Sequence, residues 1–98
     1  MAVGRGTAEV NFGVLPARST HTSVTVTGQT GLVVGTDTQV EAWPRVEATA
    51  EHSADEVAAC PPRVTARVTG TGEFRIDAVT HDGRLDHGTY KIDWIWST

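Results

Sequence analysis

The sequence has little of several residue types that commonly carry function. Its 98 residues include one cysteine, one lysine, three tryptophans, two phenylalanines and one tyrosine. A single cysteine, Cys60, excludes an internal disulfide, and we expect its side chain to be buried or half-buried as a small hydrophobe. Eight basic residues against twelve acidic ones, with a net charge of −4, argue against a nucleic-acid partner, because phosphate binding needs clustered Lys and Arg.

Long apolar runs are also missing. No segment approaches the roughly 18 to 20 apolar residues of a membrane span, and the start, Met1–Gly6, lacks the apolar core of a signal peptide. We therefore expect no membrane partner and synthesis in the cytosol. A chain of this length should form one domain, residues 1–98, and its thin core, supplied mainly by Val and Ala, favours an oligomer over a protein with a deep active site.

The clearest positive signal is strict period-two alternation in the last segment, Gly88–Thr98. Four large side chains share one side of the predicted strand: Tyr90, Ile92, Trp94 and Trp96. The other side carries Lys91, Asp93 and Ile95. An apolar Ile95 on the same side as the charged Lys91 and Asp93 indicates that this outward surface also meets a partner.

Similar alternation recurs along the chain between Gly-rich turns, without an amphipathic helix of ten or more residues. Further apolar or alternating segments lie at Thr7–Val14, Thr22–Thr27, Leu32–Val34, Gln39–Trp43, Arg63–Thr69 and Glu73–Thr80. Six or seven short strands predict an all-β protein, a small antiparallel β-sandwich. A small barrel is the main alternative.

One segment, Ala48–Pro62, breaks the alternation and gathers carboxylates. Within it Ser53 and Glu56 have the spacing of a capping box, which predicts one or two helical turns. Pro61 and Pro62 must end them, because proline cannot donate a helical hydrogen bond. We expect this long connection to cross between the two sheets.

Candidate chemical groups are few. His81, Asp82, Asp86 and His87 occupy one turn, where they could be metal ligands, sugar-binding groups or ordinary turn residues. Their spacing lacks the close His/Cys pairs or helix-borne pair of common metal sites. We expect no metal and no cofactor.

Two catalytic pairings are conceivable. Asp82 and Asp86 could act as a glycosidase acid and base, but that reaction needs an enclosed cleft to separate their pKa values. Cys60 and His52 could act as nucleophile and base, but no third orienting group or oxyanion donor is visible. The sequence thus predicts a protein that is not an enzyme.

Two stretches of sequence resemble small β-sandwich proteins that accompany the structural genes of tailed bacteriophages. The C-terminal stretch joins Val68-Thr-Gly-Thr-Gly-Glu-Phe74 to Gly88-Thr-Tyr-Lys-Ile-Asp-Trp-Ile-Trp96. The N-terminal stretch comprises Asn11-Phe12-Gly13 and Gly35-Thr-Asp-Thr-Gln-Val-Glu-Ala-Trp43. This resemblance implies a virion component, either a capsid decoration or cement subunit or a small head or tail accessory protein.

The last thirty-five or so residues also resemble the H-type lectin domain, an oligomeric six-stranded sandwich that binds N-acetylgalactosamine-like sugars. The shared pattern is Gly-Thr-Gly-Glu-Phe followed by a strand ending in Trp-Ile-Trp-Ser. Asp93 stands where that family usually has Ser before Trp94, so the resemblance implies the fold more than sugar binding. Both resemblances imply association through the sheets as a homo-oligomer, most plausibly a trimer.

These lines lead to one functional expectation and one alternative. We expect a non-enzymatic virion protein, made in the host cytoplasm, that contacts itself and the phage major capsid or tail protein. The expected contact residues are Trp43, Ile95 and Trp96, with Glu47 and Glu51 in the acidic connection supplying complementary charge. The alternative is a carbohydrate-binding module on a tail or fibre, with the His81–His87 turn as its ligand loop.

Overall fold

The computed structural model describes residues 2–98, which form six strands and one short helix in two antiparallel three-stranded sheets. The elements are β1 (Val3–Asn11), β2 (His21–Val26), β3 (Gln39–Pro44), α1 (Ala54–Ala59), β4 (Arg63–Gly70), β5 (Glu73–Val79) and β6 (Thr89–Ser97). The first sheet has the order β1-β6-β3 and the second β2-β5-β4. The prediction of a small all-β antiparallel sandwich is therefore confirmed, with six strands.

Strand β6 is the centre of the first sheet and supplies most of its core. It pairs with β1 on one side and β3 on the other. Its inward side chains are all buried, as the alternation predicts. From the second sheet, β5 contributes Phe74, Ile76 and Ala78, and the Phe74 ring meets the Trp94 indole edge to face at 5.0 Å between centroids. Burial of these large side chains is the main favourable contribution to folding.

Strand β1 begins four residues earlier than the alternation indicates, at Val3 instead of Thr7. Gly4 and Gly6 lie on its inward side, and each faces an indole of β6: an added Cβ would lie 2.3 Å from Trp96 and 2.6 Å from Trp94. The glycines conceal the strand in the sequence because they supply no apolar side chain. Tertiary packing supplies the reason for them, since the indoles occupy the space that side chains would need.

The predicted segment Leu32–Val34 is not a strand. It lies in the loop between β2 and β3, where Leu32 is fully buried while Val33 and Val34 are exposed. Gly31, with φ of 91°, turns the chain just before it. The loop bonds to the β4–β5 turn instead of a sheet, since the Gly72 N–H donates to the Leu32 carbonyl at 2.8 Å.

The long connection crosses from β3 in the first sheet to β4 in the second, as predicted. Ser53 is the N-cap of α1, and its hydroxyl accepts from the Glu56 N–H at 3.1 Å. The Glu56 carboxylate, however, binds His52. Cys60 is the exposed C-cap of the helix, so the expectation of a buried or half-buried thiol is wrong: the connection passes over the end of the sandwich and directs this residue outward.

Candidate functional site

The outward side of the first sheet carries the most conspicuous exposed apolar pair. We call it the β6 face; it consists of the outward side chains of β1, β6 and β3, together with Arg45 immediately after β3. Trp43 is 44% exposed and Ile95 37% exposed. Both line a shallow groove of about 440 Å³ that also includes Arg5, Thr7 and Asp93. Two of the three expected contact residues are thus available on one surface.

Trp96, the third expected contact residue, does not belong to this surface. It is 2% exposed and part of the core, and its indole N–H donates to the Gln29 side-chain oxygen at 3.0 Å. The alternation of side chains along a strand explains the difference, because residues 94 and 96 point to the side opposite residue 95. Trp96 therefore stabilises the fold, and its assignment as a contact residue is corrected.

Charged groups on the β6 face pair with one another beside Trp43. The Lys91 ammonium donates to Glu47 at 2.8 Å, and Arg45 binds both Glu47 and Asp93. The hydrogen bond from Lys91, joined by that from Arg45, lowers the pKa of Glu47 to about 2. The same two carboxylates raise the pKa of Arg45. Glu47 is thus already neutralised within its own chain.

Glu51 likewise has a partner within the chain. Its carboxylate accepts from the Thr89 N–H at 2.8 Å, at the start of β6. A Cβ at Gly88, which has φ of 82°, would lie 2.6 Å from the Glu51 side chain. Glu51 therefore joins the long connection to β6. Both Glu47 and Glu51 have partners within the chain, so they do not supply free negative charge for another protein.

The predicted ligand loop lies between β5 and β6 at one end of the sandwich. His81, Asp82 and Asp86 line a cavity of about 250 Å³ there, next to Thr80 and Tyr90. Asp82 is held by the Arg84 guanidinium at 2.8 Å and Asp86 by the Tyr90 hydroxyl at 2.6 Å. The Thr80 hydroxyl is buried and finds no hydrogen-bond partner within residues 2–98.

Metal chemistry finds no support at this end. Among residues 2–98 there is no group of three or more His, Cys, Asp or Glu side chains that could hold a metal ion. His87 lines no wall of the cavity and lies beside His52, with 5.8 Å between the ring centroids. The turn therefore brings three of the four predicted residues together around the cavity and leaves the fourth outside it.

Behind the cavity wall lies a buried histidine that the sequence indicates only weakly. The His52 side chain is 2% exposed and stacks on the Tyr90 ring at 4.2 Å between centroids. Its Nδ1 is 2.6 Å from the Glu56 carboxylate, and its Nε2 is 2.7 Å from the His87 carbonyl oxygen. The four-residue spacing of His52 and Glu56 across the start of α1 was the available signal.

Both partners of His52 are hydrogen-bond acceptors, so both ring nitrogens must donate, and the ring is an imidazolium. Burial alone lowers the pKa of His52, but the bonds to Glu56 and His87, with the nearby carboxylates of Glu56 and Asp86, outweigh it and raise the pKa. The ring joins the long connection to the β5–β6 loop. With both nitrogens engaged, His52 has none free to act as a base toward Cys60, so that pairing is not supported.

Comparisons with known proteins identify no relative of this chain. No family model matches it, and no curated protein or solved structure matches it either. Within residues 2–98, no helix has the length and apolar character needed to cross a membrane.

Proposed function

We propose that this protein is a non-enzymatic, homo-oligomeric component of a tailed-phage particle, most plausibly a capsid decoration or cement subunit. The observation that carries the proposal is the exposed pair Trp43 and Ile95 on the β6 face. Large apolar side chains in the middle of an otherwise charged sheet surface are typical of a protein–protein contact. The assignment to a phage particle comes from the sequence resemblance to phage-associated β-sandwich proteins.

The groups that could have suggested an enzyme are engaged in bonds that hold the fold. His52 joins two loops, Asp82 binds Arg84 and Asp86 binds Tyr90. The contacts of His52 and Asp86 are buried or partly buried and act as structural fasteners, whereas the Asp82–Arg84 pair is exposed on the loop. This supports a role that depends on surfaces.

Attachment to the particle would use a different surface, the outward side of the second sheet. Arg63 and Arg67 of β4 are exposed there and form no ion pair among residues 2–98, whereas Arg75 of β5, directly opposite Arg67, pairs with Asp77 at 3.1 Å. Exposed arginines without an internal partner can bind carboxylates of another protein. We therefore assign the particle contact to this side, with an acidic patch on the shell or tail protein as its partner.

Binding only to the assembled particle stabilises that assembly by mass action. An oligomer that engages several equivalent sites gains avidity without a large interface on each subunit. A sandwich with one side for self-association and the other for attachment would suit this role.

The copy number of the protein in purified particles tests the proposal. Quantitative mass spectrometry against the major shell protein should give a stoichiometry comparable to that of the shell subunit. A few copies for each particle would assign it to the tail or neck instead. Complete absence from the particles would refute the virion role.

Self-association through the β6 face can be tested by replacing Ile95. Ile95→Asp places a charge at the apolar centre of the face, so we expect a folded protein that sediments as a monomer. Leu85→Asp is the matched control, because Leu85 is also exposed but lies on the β5–β6 loop. An Ile95→Asp protein that stays oligomeric would show that the contact lies elsewhere.

A carbohydrate-binding role is the second candidate, and the cavity beside the β5–β6 loop favours it. A sugar hydroxyl could bond to the unpartnered Thr80 hydroxyl while Asp82 accepts from a neighbouring one. Titration calorimetry with simple amino sugars should then give saturable heat that Asp82→Asn removes. Absence of heat at millimolar sugar would exclude this role.

A further inference from the structure

The charged residues of the β6 face form a regular pattern. Each level along the sheet has one residue from β1, one from β6 and one from the β3 side. Three successive levels carry the charges: Arg5, Ile95 and Glu41; Thr7, Asp93 and Trp43; and Glu9, Lys91 and Arg45. At the first and third levels the two outer columns carry opposite charges.

Several of these charges have no partner within the chain. Among residues 2–98, Arg5, Glu9 and Glu41 form no ion pair and no side-chain hydrogen bond. Arg5 and Glu41 flank Ile95 on opposite sides. Two strand spacings, about 10 Å, separate their backbones, with Ile95 between them, and no ion pair joins their side chains. Their complements must come from outside the chain or from water.

A second copy provides these complements if it is related by rotation about an axis parallel to β6. Such a rotation preserves the levels and brings the β1 column of one copy to the β3 column of the next. Arg5 then faces the neighbour's Glu41, Glu9 faces the neighbour's Arg45, and Ile95 faces Ile95.

In the central column, Asp93 and Lys91 also face their own copies, but each already has an opposite charge within its chain, from Arg45 and Glu47. The register therefore gives charge complementarity in the outer columns around Ile95.

An axis running across the strands serves less well. Placed at the level of Asp93, it pairs Arg5 with Glu9 but sets Ile95 against the charged Lys91. Placed at the level of Ile95, it sets Arg5 against Arg5 and Glu41 against Glu41. Only the parallel axis satisfies the outer charges and the central Ile95 together.

We infer that copies of this protein associate in a ring about an axis parallel to β6, with β1 of each copy against β3 of the next. The inference rests on the proposed self-association and names its register. Two facing sheets about 10 Å apart and three faces, each about 15 Å wide, around an axis both keep this register. The mass in sedimentation equilibrium gives the number of copies.

The interface is small. Nine residues of strand span about 30 Å, so each copy contributes about 450 Å² of flat surface, below the roughly 800 Å² of a standard interface. Association should therefore depend on protein concentration. Assembly on a particle, where copies are held close together, would favour it.

Reversing the charges at the first level tests this register. Arg5→Glu and Glu41→Arg each place like charges opposite one another at every contact. Either change should therefore raise the dissociation constant of self-association, measured by sedimentation velocity, by about tenfold. The double variant Arg5→Glu/Glu41→Arg restores opposite charges and should return to within about threefold of the parent protein. Arg18→Glu, an exposed position in the loop between β1 and β2, is the control and should have no effect.

Three outcomes would overturn the inference. The first is a parent protein that stays monomeric at the highest attainable concentration. The second is a double variant that associates no more strongly than the single variants. The third is restored association in Arg5→Glu/Glu9→Arg, which would indicate the axis across the strands. Circular dichroism of each variant confirms folding. Copy number in particles tests the virion role separately, so failure of that role and failure of this register are distinguishable.

Discussion

Adding one methyl group at Gly6 should destabilise the protein severely. Alanine in place of glycine within a strand normally stabilises, because the unfolded chain loses conformational freedom. Here the new Cβ would lie 2.6 Å from the Trp94 indole, and that indole is enclosed between the sheets beside Phe74. We expect Gly6→Ala to lower the free energy of unfolding by about 2 to 3 kcal/mol, as overpacked cores do.

Gly4→Ala should behave in the same way, since its Cβ would lie 2.3 Å from the Trp96 indole nitrogen that bonds to Gln29. Gly35→Ala is the matched control: its backbone is not left-handed, and its nearest neighbour would be 3.9 Å away. Urea unfolding of the three variants measures the difference. Equal stability of Gly6→Ala and Gly35→Ala would mean that the indoles are not held as described.

Loss of the His52 proton should be the second large effect. His52 is an imidazolium between two acceptors, so its deprotonation must break one of the two hydrogen bonds. A folded pKa above the ordinary value near 6.5 means that this contribution to stability is complete at lower pH and disappears as the pH rises through the folded pKa. We expect the free energy of unfolding to fall as the pH rises above about 6.5.

The charged groups that face His52 come from three elements: Glu56 of α1, Asp86 and His87 of the β5–β6 loop, and Tyr90 of β6. Burial, followed by the bond to Asp86, raises the pKa of Tyr90, so its hydroxyl stays protonated throughout this range. Unfolding curves should be recorded in a Cys60→Ser background, because the exposed free thiol can oxidise during unfolding.

Two variants distinguish the loss of stability caused by deprotonation of His52 from a general destabilisation of the fold. His52→Ala removes two charge-assisted bonds and the stacked ring, which should cost about 3 kcal/mol below neutrality. Glu56→Gln offers an amide that can donate to or accept from the ring, so a neutral His52 keeps both bonds and the alkaline loss should shrink. His81→Ala is the exposed control. Stability that stays level across neutrality in the parent protein would contradict the imidazolium.

The candidate site was only partly visible in the sequence. Ile95 was recognisable because an apolar residue that follows Lys91 and Asp93 breaks the polar side of an alternating strand. Trp43 was a candidate by size alone. Trp96 could be assigned to the core by its register with Tyr90, yet its size also suggested a contact, and the structure decides for the core.

The role of the acidic connection was beyond sequence reasoning. Glu47 and Glu51 resembled free charges because their partners, Lys91 and the Thr89 N–H, lie about forty residues further along the chain. The complementary columns of the β6 face were hidden for the same reason. Arg5 and Glu41 acquire a shared level only when β1 and β3 both pair with β6.

By itself, the sequence determined which residues alternate, where the chain turns and that the product is an all-β sandwich with one helical connection, since these depend on neighbours a few residues apart. Only the tertiary structure decided that glycines of β1 make room for indoles of β6, that His52 must carry a proton, and that outward charges form matched columns. Each of these depends on atoms brought together from distant parts of the chain. Periodicity within one strand carries no information about which strand lies beside it.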